Sequence, residues 1–233
     1  MKLIDVVIPT LSQPDPGLLD DLDHVSGIGN VIITREKPLS IARKKAILKA
    51  ESSLVALIDD DIRIPHSWLN KLKSEMVDRV GAVSSVAANK DPDKDAYLKI
   101  VSCFFNLDSV DTSPHINNVL VRKEIFENYN PPLLFLGEDF FFKKHVEKTH
   151  IWKVLPFFGV QHLKKSSNFV GLGYAYKKYN HYSTKQLIRR AVSKFVFIPY
   201  AAALNLSFKT AFNLHRENSH FYAGVFKQIF EGK

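Results

Sequence analysis

Three carboxylates stand in a row at Asp59-Asp60-Asp61, directly behind the apolar run Leu54-Val55-Ala56-Leu57-Ile58. A short apolar run bounded by polar residues reads as a buried strand, which puts the triplet at a strand exit. Adjacent carboxylates repel one another and gain nothing from packing, so their presence calls for a use. Side chains alternate along extended chain, which would let Asp59 and Asp61 face one side as a compact hard-oxygen site. That chemistry suits Mg²⁺ or Mn²⁺, which take a couple of carboxylates and complete their shells with phosphate oxygens and water. The alternative is capping of the helix expected near Pro65, by Asp61 or a neighbour. Capping needs one aspartate, not three.

A second acidic centre, Glu138-Asp139, follows Gly137 and precedes Phe140-Phe141-Phe142. Acidic residues in a first helical turn are favourable for dipole reasons alone. The phenylalanines add a further expectation: a carboxylate bordering apolar surface has its pKa raised towards the range useful to a general base.

The elements that must position these groups follow from hydrophobic spacing. Strands are predicted at Leu3–Pro9, Asn30–Thr34, Ser53–Ile58 and Val80–Ala87. Helices are predicted at Pro16–Val25, Pro38–Glu51 and Pro65–Val77, the last showing Trp68, Leu69, Leu72 and Met76. Apolar strands without polar alternation, separated by helices, predict an α/β fold with a mostly parallel sheet covered on both faces. In such sheets ligands sit at the carboxyl ends of the strands, so the residues just past a strand carry the interest. Further on, strands are predicted at His115–Val121, Ile151–Leu155 and Gly159–Leu163, with helices at Lys123–Tyr129 and Gly137–Lys148.

The ordered set of motifs resembles family 2 glycosyltransferases with the GT-A fold, membrane-associated prokaryotic members among them. Val6-Val7-Ile8-Pro9-Thr10 resembles the family's first strand, Ala42-Arg43 its second helix, and the triplet its Asp-x-Asp motif. Asn117 to Phe126 resembles the acceptor-side strand and helix, Gly137-Glu138-Asp139 the acidic pair, and Val160-Gln161-His162 the late histidine. The resemblance covers nearly all of residues 3–166. It implies a Rossmann-like sheet and transfer of a sugar from a UDP- or GDP-linked donor. Pro9, Thr10 and Arg43 would line the nucleotide pocket, with Asp59 and Asp60 beside the ribose and diphosphate. Asp61, Asp59 and His162 would hold the metal, Asp61 as the main ligand. Asp139, supported by Glu138, would be the general base of a single inverting displacement. The family's acidic residue at the end of the second strand is replaced by Thr34-Arg35-Glu36, which leaves Glu36 as the late reader of base or ribose and the base itself open. The Gln/Arg-x-x-Arg-Trp signature of processive synthases is missing, which argues for transfer of one residue.

Composition bounds the rest. The chain has 233 residues, 45% of them hydrophobic and 24% charged, as in an ordinary folded protein. Its single cysteine, Cys103, excludes an internal disulfide framework. Asp5 comes too early for a secretory signal, so none is expected. Charge is split: residues 1–139 carry 16 Lys and Arg against 21 Asp and Glu, whereas residues 140–233 carry 16 against 3, a balance of +13. A catalytic domain over residues 1–182 and a basic amphipathic helical tail over 183–233 are expected. The tail has an uncharged run from Phe195 to Phe208, too short as a helix for the ~30 Å hydrocarbon core. Lys185, Arg189, Arg190 and Lys194 precede it, and Phe221-Tyr222, Val225-Phe226 and Ile229-Phe230 follow at helical spacing. Basic residues beside aromatic amphipathic helices suit an anionic membrane surface, here the inner face of the cell membrane, with a polyprenyl-phosphate or lipid-linked glycan as acceptor. A helical cap on the domain is the alternative.

Three other functions fit less well. A phosphatase of the haloacid dehalogenase type would want its Asp-x-Asp near the start, with Thr or Val where Arg63 stands. A nucleic-acid module explains the basic tail, but the carboxylates would repel a phosphate backbone. A sugar nucleotidylyltransferase needs a Gly-rich phosphate loop where Pro9-Thr10-Leu11-Ser12-Gln13 lies.

Overall fold

The structure, a computed structural model, describes residues 3–89, 115–132, 138–156, 159–163, 188 and 208–231. Cys103, Gly137, the four basic residues before the uncharged run, that run as far as residue 207, and the expected boundary at 182 lie outside the described residues. The chain divides into two compact units, Met1–Lys90 with Asp111–Lys164, and Asp91–Val110 with Lys165–Lys233.

In the first unit, β1 (Ile4–Pro9), α1 (Pro16–Asp23), β2 (Ile28–Thr34), α2 (Leu39–Lys49), β3 (Leu54–Ile58), β4 (Ile62–Arg63), α3 (Trp68–Ser74), β5 (Val80–Ser85) and β6 (Ala88–Asn89) come first. After them come β7 (Asn118–Arg122), α4 (Glu124–Glu127), α5 (Glu138–Val146), β8 (Ile151–Leu155) and β9 (Gln161–His162). The main sheet has the order β2-β1-β3-β7-β5-β8. β1 runs parallel to β2 and β3, and β5 parallel to β8, while β7 is antiparallel to both its neighbours. The fold is the expected mostly parallel α/β sheet flanked by helices.

Alternation divides the core cleanly. Ile4, Val6, Ile8, Ala56, Ile58, Leu120 and Val83 meet α1 through Leu18 and Leu22 and α3 through Trp68, Leu69 and Leu72. Val7, Val55, Leu57, Val119, Val121 and Ala82 meet α2, α4 and α5 through Ala46, Ile47, Ile125, Phe126, Phe142 and Val146. Strands buried on both faces must be apolar at every position, which is why they read as runs rather than as alternations.

Asp5 is the exception inside β1, only 3% exposed. Its carboxylate accepts the backbone N–H groups of Asn30, Glu51 and Ser52 at 2.9, 2.7 and 3.0 Å, tying the starts of β2 and β3 to β1. Burial pushes its pKa up, but these hydrogen bonds outweigh burial and hold it below the ordinary value. A Cβ on Gly29 would lie 2.7 Å from that carboxylate, so the close approach requires glycine.

A second, three-stranded sheet, β4-β9-β6, departs from the predicted outline. The strand expected over Gly159–Leu163 is only Gln161–His162, and the one expected from His115 begins at Asn118. Residues 62–63 and 88–89 were not predicted as strands, because two-residue strands are too short for any period to show. β4 is fastened to α1 by Arg63, whose Nε and Nη2 donate to the Asp21 carboxylate at 2.6 and 2.7 Å.

In the second unit α6 (Phe208–Glu231) is amphipathic. Tyr222 and Val225 are buried with Phe221 and Ile229 against them, while Phe226 and Phe230 are 56% and 76% exposed. Among the described residues no helix is long and apolar enough to cross a membrane.

Candidate functional site

The three aspartates leave β3 on separate errands. Asp59 donates its backbone N–H to the Asn117 carbonyl at 2.9 Å, continuing the β3–β7 ladder, and its carboxylate pairs with Arg43 Nη2. Asp60 accepts a hydrogen bond from the Thr10 hydroxyl at the exit of β1, and its carbonyl accepts the Asp15 N–H at 2.9 Å. Asp61 is 8% exposed and lies 3.5 Å from His162 Nε2. The small sheet brings His162 there: β4 pairs antiparallel with β9, placing Ile62 opposite His162, and Leu163 N–H bonds the Asp61 carbonyl at 2.8 Å. Helix capping is not what Asp61 does, since α3 starts at Trp68 behind Ser67.

Asp59, Asp61 and His162 each present a ligand atom, all within 4.8 Å of one another. At that separation two carboxylates repel by on the order of 3 kcal/mol at an effective dielectric of about 20. The real figure is smaller, because Asp59 is 29% exposed and Arg43 sits beside it. Two carboxylate oxygens this close together suit Mg²⁺ or Mn²⁺, and the added imidazole favours Mn²⁺, the softer of the two. The residues fit a divalent cation.

Arg43 joins this cluster to the second acidic centre. Its guanidinium, buried on α2, pairs with Asp59 through Nη2 and with Glu138 Oε1 through Nη1. Glu138 is itself buried at 4%. Among the described residues Arg43 Nε has no hydrogen-bond partner, and two carboxylates fix the guanidinium through its other nitrogens. A small cleft lies beside this pair, lined by Ser40, Ile116, Tyr129 and Phe142 among others. The two acidic centres, expected as separate, are thus one chain of contacts.

Asp139 follows Glu138 in the first turn of α5, which Phe142 and Val146 anchor in the core. Its carboxylate stands 3.4 Å from His115 Nδ1, and both side chains are 37% exposed. Here the expectation of a raised pKa is corrected. Burial does push the Asp139 carboxyl up, but the hydrogen bond and charge of His115, with the charge of Arg43, outweigh it and hold the group below the ordinary range. Burial, with the negative charge of Asp139, pushes the Tyr129 hydroxyl up, so it stays neutral.

The remaining predicted residues divide. Pro9 ends β1 opposite Thr34, and Thr10 is buried beside Asp60. Glu36 is turned to α2, where Lys45 pairs with it at 2.5 Å and lowers its pKa. Arg35 instead reaches the β1 exit, donating to Gln13 Oε1 at 3.0 Å.

His115 was missed for a topological reason. In a parallel sheet the ligand-facing residues are those just past a strand, and His115 precedes one. Because β7 runs antiparallel to β3, with Ile58 opposite Asn118, it is the start of β7 that lies at the active edge.

No protein-family model matches the chain, and no curated protein matches it by sequence. Solved structures match it in three dimensions. A mannosyltransferase from Pyrobaculum calidifontis, in complex with GDP-Man and Mn²⁺, superposes with a TM-score of 0.62 at 14% identity, covering 99% of this chain and 88% of that one. Glucosyl-3-phosphoglycerate synthase from Mycobacterium tuberculosis, with Mn²⁺, UDP and phosphoglyceric acid, gives 0.52 at 10% identity over 84% and 78%. The same synthase with Mg²⁺ and UDP gives 0.50 at 11% over 70% and 72%. The fold is GT-A. Identities this low speak for the fold alone, so the chemistry rests on the residues described above.

Proposed function

We propose that this protein is a metal-dependent glycosyltransferase that moves one hexosyl residue from a UDP- or GDP-linked sugar to an acceptor hydroxyl or phosphate. The observation that carries the proposal is the Asp59–Asp61–His162 donor set at the end of β3. It occurs on a fold whose solved neighbours hold Mn²⁺ with GDP-Man, or Mn²⁺ or Mg²⁺ with UDP. Bound there, Mn²⁺ or Mg²⁺ would act as a Lewis acid for the diphosphate that departs. Asp61, Asp59 and His162 would hold the cation, whose charge would fix the donor's diphosphate, with Asp60 and Thr10 holding the β1 exit beside the nucleoside. Arg43 keeps Asp59 and Glu138 in register, so donor and acceptor ends are set by one buried guanidinium. Asp139 would take the acceptor's proton in a single inverting displacement.

The test is thermal melting and calorimetry of the full chain with UDP or GDP, with and without Mn²⁺. A ligand at 100 times its Kd stabilises the native state by about 2.7 kcal/mol, a shift readily seen in melting. A melting temperature unmoved by either nucleotide with Mn²⁺ would sink the proposal.

For the acceptor we propose a polyprenyl-phosphate or lipid-linked glycan, reached from the inner face of the cell membrane. Support comes from the +13 balance of residues 140–233 and from the exposed Phe226 and Phe230 of α6. Each Lys or Arg near an anionic surface contributes about 1 kcal/mol, so several with buried aromatics suffice for reversible attachment. The full chain should sediment with phosphatidylserine vesicles at low salt and be partly released at high salt. Indifference to such vesicles makes a soluble acceptor the better reading.

A further inference from the structure

We infer that His115 is a positioning residue for Asp139, its Nδ1–H held against Oδ2 so that the carboxylate keeps one orientation while it takes the acceptor's proton. The inference rests on the glycosyltransferase reading and goes beyond it in assigning a role to a residue outside the metal and base sets.

The two groups come from elements anchored in the same core. His115 precedes β7, where Ile116, Val119 and Val121 are core residues, and Asp139 precedes Phe142 and Val146 of α5. Apolar residues, rather than this pair, carry the packing of both elements. Both are 37% exposed, and a half-exposed pair contributes little to stability. What the pair does change is Asp139. Glu138 beside it is taken up by Arg43, which leaves His115 as the side chain that faces the Asp139 carboxylate at 3.4 Å, orients it and favours its ionised form. The 3.4 Å separation is long for a hydrogen bond, as catalytic contacts often are before substrate tightens them.

The step balances without any other reagent. The acceptor O–H proton passes to Asp139, the acceptor oxygen forms its bond to the anomeric carbon, and the bond from that carbon to the diphosphate oxygen breaks. The bonding pair leaves with the nucleoside diphosphate. His115 keeps its own proton throughout.

The experiment uses the full chain with Mn²⁺ and either UDP-glucose or GDP-mannose, water serving as acceptor. It reads nucleoside-diphosphate release, and calorimetry with UDP or GDP reads donor affinity. His115→Ala should lower kcat by about 10–100-fold, the usual cost of losing an orienting partner, with KM and nucleotide affinity unchanged and melting within a few degrees of the parent. His115→Asn should restore most of the rate, because its amide N–H falls where Nδ1–H was, whereas His115→Gln should not. In an Asp139→Asn background His115→Ala should have no further effect, since a residue acting through Asp139 has nothing left to act on. Unchanged turnover in His115→Ala, a full loss persisting in the Asp139→Asn background, or an effect confined to KM overturns this inference and leaves the glycosyltransferase reading standing. A parent chain that releases no nucleoside diphosphate from either donor overturns both.

Discussion

Replacing Asp61 with alanine is expected to remove the Mn²⁺-dependent part of UDP or GDP binding, weakening it by about 10²-fold or more. Loss of residues merely supporting a metal's ligands already costs 10–100-fold, and Asp61 is placed as a ligand. It is also the member of the cluster least exposed to water and the one closest to His162. The fold should survive. Asp61 contributes its carbonyl to the Leu163 N–H bond, which alanine keeps, and it caps no helix. Removing one of three neighbouring carboxylates also relieves repulsion, so the metal-free variant should melt no more than a few degrees below the parent. That combination separates a binding site from a structural ion pair, which would lose stability and leave nucleotide affinity alone. Calorimetry of UDP and GDP with and without Mn²⁺ decides it, and unchanged metal-dependent binding in Asp61→Ala would show the site to be misplaced.

What the sequence made legible and what it hid follow from how far apart the relevant residues lie. The triplet and the strand before it are contiguous, so apolar run, strand exit and carboxylate cluster are all visible in eight residues, 54–61. Arg43 could be seen as a member of the set, but its pairing with both Asp59 and Glu138 spans 16 and 95 positions, beyond any local pattern. His162 meets Asp61 only through the β4–β9 pairing, made of two-residue strands that carry no periodic signal. The direction of the Asp139 shift was misjudged for the same reason: the phenylalanines beside it are local, whereas His115 lies 24 positions upstream. Desolvation can be guessed from neighbours in sequence. Charge partners need the fold.

Asp139→Asn should reduce transfer by about 10²–10⁴-fold, the usual worth of a general base, while leaving UDP or GDP affinity where it was. The isosteric amide preserves volume and can still meet His115, so packing in the first turn of α5 is not at stake. Arg43 pairs with Glu138 rather than with Asp139, so the buried bridge to Asp59 is also untouched. The pH dependence sharpens the test. Because the folded pKa of Asp139 is lowered below the ordinary 3.8, the carboxylate is ionised throughout the neutral range. Whatever stability it contributes is present above the unfolded pKa and is lost only as pH falls through the folded one. The deficit of Asp139→Asn should therefore stay constant from mildly acidic to neutral pH. A base with so low a pKa is a weak one towards a free hydroxyl. It serves when proton transfer keeps pace with bond formation to the anomeric carbon, since the acceptor oxygen grows more acidic as it bonds. A deficit that shrinks on acidification within the mildly acidic range would mean the working base titrates higher, and would move that role away from Asp139. Equal losses of nucleotide affinity and turnover would place Asp139 in the donor pocket instead.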